Sequence, residues 1–222
     1  MGSLLLNDII ITLFSGAVRF DREVYEELCR ELYDYYDTQS RTGTSYRLTN
    51  PRGGSCVIDS RHVRLTDFFG GAQPETIVRP LAQVARRALA VFGDPEPDAY
   101  DIQMSARLPQ KELDHGRRIN FLSSEEYIAA RFLQDVDLGP LQGTGTGVGL
   151  RFLYQRAGVN HDLRVEPYFK DRTFLFLDLG IQYPEGNTGG SLEERLVEDV
   201  RYFEQNVVEF IRWRAATGEG AL

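Results

Sequence analysis

Leu175, Leu177, Leu179 and Ile181 occupy every second position of the stretch FLFLDLGIQY. In an extended strand, successive side chains point to opposite faces, so this spacing puts all four on one side of a sheet. Asp178, Gly180 and Gln182 then fall on the other side. Such a strand belongs in an antiparallel sheet with one covered face and one solvated face. The rest of the chain must therefore supply something apolar to cover it.

Helical stripes answer that need. Ser191 and Glu194 form a capping-box pair, and Leu192, Leu196, Val200, Phe203, Val207 and Phe210 recur at helical spacing after it. Earlier, Val24, Tyr25, Leu28, Cys29, Leu32 and Tyr36 mark a helix that Asp21 caps, with the polar stretch Thr38–Ser45 as its end. Pro74–Phe92 is a further helix stopped by Gly93, with Pro80 as either a kink or the true first turn. Strands are expected at Ile9–Phe14, Tyr46–Thr49, Cys56–Leu65, Tyr100–Leu108, Gly149–Arg156, Asp162–Phe169 and Thr173–Tyr183. The turn NPRGG, Asn50–Gly54, joins the second and third of these.

The fold class is α+β. Residues 1–108 run β-α-β-β-α-β, a ferredoxin-like half with both helices on one face of an antiparallel sheet. Residues 109–118 are a polar junction. Residues 119–214 form a second half, opening on a short helix at Ser124–Leu133, with its own antiparallel sheet and the long C-terminal helix. Residues 215–222 are expected to be a disordered tail.

The chain has 222 residues, 42% hydrophobic and 26% charged, enough for a real core and without a disordered bias. Its formal net charge of −8 repels nucleic acid. The apolar start MGSLLLNDIIITLF is broken by Asn7 and Asp8, lacks a basic leader and is too short to span a bilayer. A cytoplasmic protein with no membrane association is expected. Cys29 and Cys56 read as buried thiols, and two cysteines supply neither a disulfide framework nor a tetrahedral metal set.

The stretch LQGTGTGVGLRF, Leu141–Phe152, looks most like a ligand motif. A dinucleotide fingerprint needs a third glycine where Val148 or Leu150 stands, and no Gly-Lys-Ser/Thr follows. Phosphate cradles also lead from a strand into a helix, whereas here a strand follows the glycines. Gly145 and Gly147 therefore read as a structural joint, with a ligand loop as the competing reading. His62, with Arg61 and Arg64 around it in DSRHVRL, could hold an anion or move a proton, or could belong to a solvated face of mixed charge. His161, Asp162, Arg164 and Glu166 cluster near a turn, and Glu166 with Asp178 on the next strand suggests paired carboxylates. No nuclease Glu-x-Lys, serine elbow, metal-spaced histidine pair or cofactor motif accompanies them.

In composition, GTGTGVGLRF is similar to the glycine-rich loop of the CRISPR-associated RNA-binding repeat proteins, which implies an RNA-binding alternative. The longer match is to GVGLRFLYQR, FLFLDLGIQYPEG and SLEERLVEDVRYFEQNVVEFIRW in order and spacing. Over residues 147–213 these resemble a sporadically distributed bacterial family without assigned activity. Gln155-Arg156 stands where that family has Asn-Arg. The resemblance implies a bacterial cytoplasmic accessory protein, and its patchy distribution implies carriage with mobile or defence-type gene clusters.

Two function classes follow. The first is a non-catalytic interaction or regulatory subunit of a larger assembly, with a protein partner or a second copy as its contact. Exposed aromatics such as Tyr33 and Tyr35, Arg151 after the glycines, and the cationic-aromatic end Arg212, Trp213 and Arg214 motivate it. The alternative is a nucleic-acid-binding or RNA-processing protein of ferredoxin-like type that uses the glycine loop with His62. The net charge separates them: binding to generic DNA or RNA is expected to be negligible at physiological salt, as measured by fluorescence anisotropy. Tight binding with a steep salt slope, lost on mutating Arg61 and Arg64, would establish the alternative instead.

Overall fold

A computed structural model describes residues 4–14, 22–42, 45–59, 62–93, 97, 99–109, 149–171, 173–184 and 190–217. The expected cap Asp21, the short helix at 124–133 and most of the glycine stretch, with Gly145 and Gly147, lie outside them. Among the described residues the strands are β1 (Leu5–Phe14), β2 (Thr38–Thr42), β3 (Ser45–Thr49), β4 (Ser55–Ile58), β5 (His62–Phe68), β6 (Ala99–Pro109), β7 (Leu150–Arg156), β8 (Val159–Pro167) and β9 (Phe174–Tyr183). The helices are α1 (Arg22–Glu31), α2 (Pro74–Val91), α3 (Leu192–Tyr202) and α4 (Val208–Thr217). A π-helical turn, Phe203–Val207, joins the last two. Phe203 and Val208 both keep right-handed helical angles, so α3, the π turn and α4 run on as one C-terminal helix.

All nine strands belong to one sheet in the order β2-β3-β4-β5-β1-β6-β9-β8-β7, and every neighbouring pair is antiparallel. This corrects the expectation of two sheets. Strand β6 pairs with β1 along one edge and with β9 along the other, so the second half extends the sheet of the first. Alternation shows which face of a strand is buried but not which edge finds a partner.

Two further expectations change. Thr38–Ser45, read as the polar end of α1, contains strand β2. As an outer strand with Thr38–Arg41 exposed it has no buried face, hence no apolar alternation to read. Cys56–Leu65, read as one strand, is two, β4 and β5, turned at Asp59, whose N–H donates to His62 O at 3.1 Å. The signal was a phase slip: buried Cys56 and Ile58 are even-numbered, whereas buried Val63 and Leu65 are odd. The NPRGG turn forms as expected between β3 and β4. Asn50 Oδ1 accepts from the Arg52 and Gly54 N–H groups at 3.1 and 2.8 Å. A Cβ at Gly54 would lie 2.7 Å from Asn50 Nδ2, so a larger residue there would displace the Asn50 side chain that ties the turn.

One core joins the sheet to the helices. Ile9, Ile11 and Leu13 of β1, Tyr100 to Leu108 of β6 and Leu175 to Ile181 of β9 meet Leu28, Leu81, Ala85, Leu196 and Phe203 of the helices in a continuous buried cluster. Helix α2 lies against α1, β5 and α3, so the helices share one face of the sheet. It starts at Pro74 and continues through Pro80, which therefore stands inside the helix.

The Ser191–Glu194 capping box is present, with Ser191 N–H donating to Glu194 Oε2 at 2.9 Å and Glu194 N–H to Ser191 Oγ at 3.3 Å. The extra residue of the π turn rotates the apolar stripe, so Val208 and Ile211 are buried where Phe210 was expected. Phe210, half-buried, packs edge-on against Phe152. Helix α4 continues to Thr217, into the segment read as a tail.

The one-sided cover predicts a contrast between two leucines. Leu177 is wholly buried and Leu153 is 71% exposed on the opposite face. Leu177→Ala should cost about 2–5 kcal/mol in denaturant melts and Leu153→Ala within about 0.5 kcal/mol. Equal losses would mean that both faces are covered.

Candidate functional site on the open sheet face

Register places the residues of the open face in rows that cross the sheet. One row runs Phe68, Asp8, Ser105, Asp178, Arg164, Arg151 from β5 to β7. The next runs Thr66, Ile10, Gln103, Gly180, Asp162, Leu153, and the third Arg64, Thr12, Asp101, Gln182, Asn160, Gln155. A β-bulge between Leu6 and Asp8 brings Asp8 opposite Ser105. Gly180 sits at the middle of the second row. A Cβ there would meet Asp162 Cβ at an ordinary 3.7 Å, so its lack of a side chain lowers the floor without being sterically required.

Around Gly180 lies a depression of about 790 Å³, lined by Asp101, Gln103, Arg151, Asp162, Asp178 and Gln182 among others. Arg151 grips Asp162 with both arms of its guanidinium, Nε to Oδ1 at 2.8 Å and Nη2 to Oδ2 at 2.7 Å. Arg164 lies 3.7 Å from Asp162 and 3.9 Å from Asp178. Gln103 Nε2 donates to both oxygens of Asp178, at 3.1 and 3.3 Å, and Ser105 Oγ donates to Asp8 at 2.8 Å.

The hydrogen bond from Arg151 holds the Asp162 carboxyl below its ordinary range. Burial pushes Asp101 up, and also Asp8, the latter opposed by its hydrogen bond from Ser105. The arrangement offers paired charges and amides suited to binding.

Several residues expected from sequence fall on this face. Arg151 lines the depression, and His62 and Arg64 stand on β5 at the same face's far side. His62 Nε2 lies 3.1 Å from Asp59 Oδ2, an ion pair when the imidazole is protonated. Arg61 lies outside the described residues. Arg212 and Trp213 are on α4, with the helices; Trp213 is 56% exposed and its ring tilts against Phe210 at 6.2 Å. The pleat divides the His161 cluster: His161 is buried, stacked on Tyr154, while Asp162 and Arg164 face the depression. Glu166 stands opposite Phe176, and it is Arg164 that stands opposite Asp178, so the suggested carboxylate pair is not a cross-strand pair. Tyr35, expected to be exposed, is half-buried and hydrogen-bonds the fully buried Asp67.

Asp8, Asp101 and Gln103 were missed, because β1 and β6 meet only through tertiary pairing. Asp199 was missed as well. It looks like an ordinary helix-surface residue, yet it is buried beneath the sheet. Tyr183 Oη reaches its two carboxylate oxygens at 2.8 and 2.9 Å. Tyr183 stacks on Tyr100, and the Arg195 guanidinium lies over the Tyr100 ring at 4.8 Å.

No protein-family model matches the chain, and no curated protein matches it significantly in sequence. Among the described residues, no helix is long and apolar enough to cross a membrane.

Burial raises Asp199 to about 7, opposed by the Tyr183 hydrogen bond and by Arg156 and Arg195, and helped by Glu198. A carboxyl raised in the folded state binds its proton more tightly there than in the unfolded chain. Its contribution to stability is therefore greatest in acid and falls as pH rises from about 4 to about 7. Asp199→Asn should remove that part of the pH dependence and raise the melting temperature above neutrality. Parallel melting curves for both proteins across this window would refute the assignment.

Proposed function

We propose that the chain is a non-catalytic interaction module, a regulatory or structural subunit of a larger assembly, and that it meets a protein partner on the open sheet face. The observation that carries this reading is the asymmetry of the sheet. Helices cover one face, and the other holds a depression of about 790 Å³ floored by Gly180 and walled by polar side chains. Depressions lined by a few oriented polar groups are where proteins hold ligands and partner side chains. The order β4-β5-β1-β6, with α1 before β4 and α2 between β5 and β6, supports the ferredoxin-like reading of the first half, with β2-β3 as an added hairpin. The sequence resemblance supports a bacterial cytoplasmic setting.

The charges on this face weigh against nucleic acid. Asp8, Asp101, Asp162, Glu166 and Asp178 share it with Arg47, Arg64, Arg107, Arg151 and Arg164, so the strand positions carry no surplus of positive charge, and Arg151 is committed to Asp162. A phosphate backbone is held by a surplus of positive charge, which equal numbers of carboxylates and guanidiniums do not supply.

A photo-crosslinking residue at Leu153, beside the depression, tests the reading in the cells from which the chain comes. A discrete protein adduct is expected there, lost when Gly180→Leu fills the floor, with no adduct from Gln83 on the exposed side of α2. An adduct from Gln83 alone, or one indifferent to Gly180→Leu, would place the partner elsewhere.

A further inference from the structure

Most polar groups lining the depression are already used. Asp162 is held by Arg151 and approached by Arg164, Asp178 accepts from Gln103, and Asn160 Oδ1 accepts from Gln155 at 2.8 Å. Among the lining carboxylates Asp101 is the exception. Its carboxylate is half-buried on the wall of the depression, yet no described residue gives it a hydrogen bond or an ion pair. Its neighbours across the strands are Thr12 and Gln182, likewise without hydrogen-bond partners among the described residues. Asp101 and Gln182 line one edge of the depression and Thr12 stands next to Asp101 across the strands, so that Thr12 Oγ1, the Asp101 carboxylate and the Gln182 amide form a row of acceptors unused among the described residues. The next cation in that row is Arg64, beyond Thr12 and two strands from Asp101, roughly 10 Å away at ordinary strand spacing.

We propose that this row is a cation site, in which Asp101 receives an alkylammonium or guanidinium group while Thr12 and Gln182 accept its remaining N–H bonds. The inference rests on the reading of the open face as a binding surface and names the chemistry that surface recognises. Charge agrees with it. Among the described lining residues the carboxylates Asp101, Asp162 and Asp178 face two guanidiniums, Arg151 and Arg164, one fewer positive charge than negative. The chain as a whole carries −8, so the long-range field also draws cations in. A half-buried carboxylate without a counterion bears a desolvation cost that an incoming ammonium or guanidinium relieves, and charge-assisted hydrogen bonds of this kind are the strong ones. Burial pushes the Asp101 carboxyl up, the direction that a neighbouring cation would oppose. The volume, about 790 Å³, accommodates a lysine or arginine side chain of a partner protein or a free small amine.

The test is a titration of the isotope-labelled full chain, followed by backbone amide shifts. The probes are agmatine, a blocked tripeptide with lysine at its centre and the same tripeptide with norleucine. Shifts centred on Thr12, Asp101 and Gln182 are expected with the two cationic probes and not with norleucine. Asp101→Asn should weaken the cationic probes by about tenfold or more at unchanged melting temperature. Gln182→Leu provides a second variant and should weaken them less. Tighter binding of the lysine peptide assigns the site to a protein side chain, and tighter binding of agmatine to a free amine; each supports the site. Equal binding by Asp101→Asn, shifts centred on Asp162 and Asp178, or binding of the norleucine peptide would overturn it. The two proposals fail separately. Leu153 adducts that persist without amine binding remove the cation site and keep the interaction face; amine binding without Leu153 adducts keeps the site and removes the protein partner.

Discussion

Strand β6 is paired along both edges, and the architecture depends on that. From Ala99 to Pro109 it bonds β1 on one side and β9 on the other. Its alternate residues Tyr100, Ile102, Met104, Ala106 and Leu108 are all buried under the helices. A strand edge left unpaired in the middle of a protein strands a row of backbone donors and acceptors, each costing free energy when water is excluded. Double pairing removes that cost and makes the two halves of the chain one sheet. It also carries the register across the molecule, so that Asp8 on β1 and Arg151 on β7 stand in one row.

Beneath the sheet, the C-terminal helix is held by more than its apolar stripe. Asp199 is buried against Tyr183, Tyr183 stacks on Tyr100, and Arg195 lies over Tyr100. His161, Tyr154 and Tyr202 form a neighbouring cluster, with Tyr154 and Tyr202 hydroxyls 2.9 Å apart. Burying a carboxyl is costly unless it is hydrogen-bonded, and the Tyr183 hydroxyl supplies that bond to Asp199. The π turn lies immediately after Tyr202 and rephases the helix so that Val208 and Ile211 still face the core.

Above the sheet, charge is arranged differently. The open face carries carboxylates and guanidiniums in adjacent rows, and those beside Gly180 satisfy each other: Arg151 by Asp162, Arg164 between Asp162 and Asp178. A surface neutralised in this way has little pull on a polyanion. The proposed partner would meet the groups left over and the shape around Gly180.

The sequence by itself determined the local elements. Period-two runs such as Leu175–Ile181 and the capping box at Ser191–Glu194 specify strand and helix, because residues near in the chain impose both patterns. It also determined which face of β9 is buried, since alternation encodes that face directly. Two local features were legible but unread, the phase slip between Ile58 and Val63 and the π turn after Tyr202. Only the tertiary structure decided that β6 joins two halves into one sheet, that Asp8, Asp178 and Arg164 share a row, and that Asp199 is buried while Asp101 has no partner among the described residues. Pairing edges and cross-strand neighbours are contacts between residues far apart in the chain, and backbone hydrogen bonds form the same way whatever side chains they join. Alternation therefore tells each residue which way to face, and only the assembled sheet tells it what it faces beside.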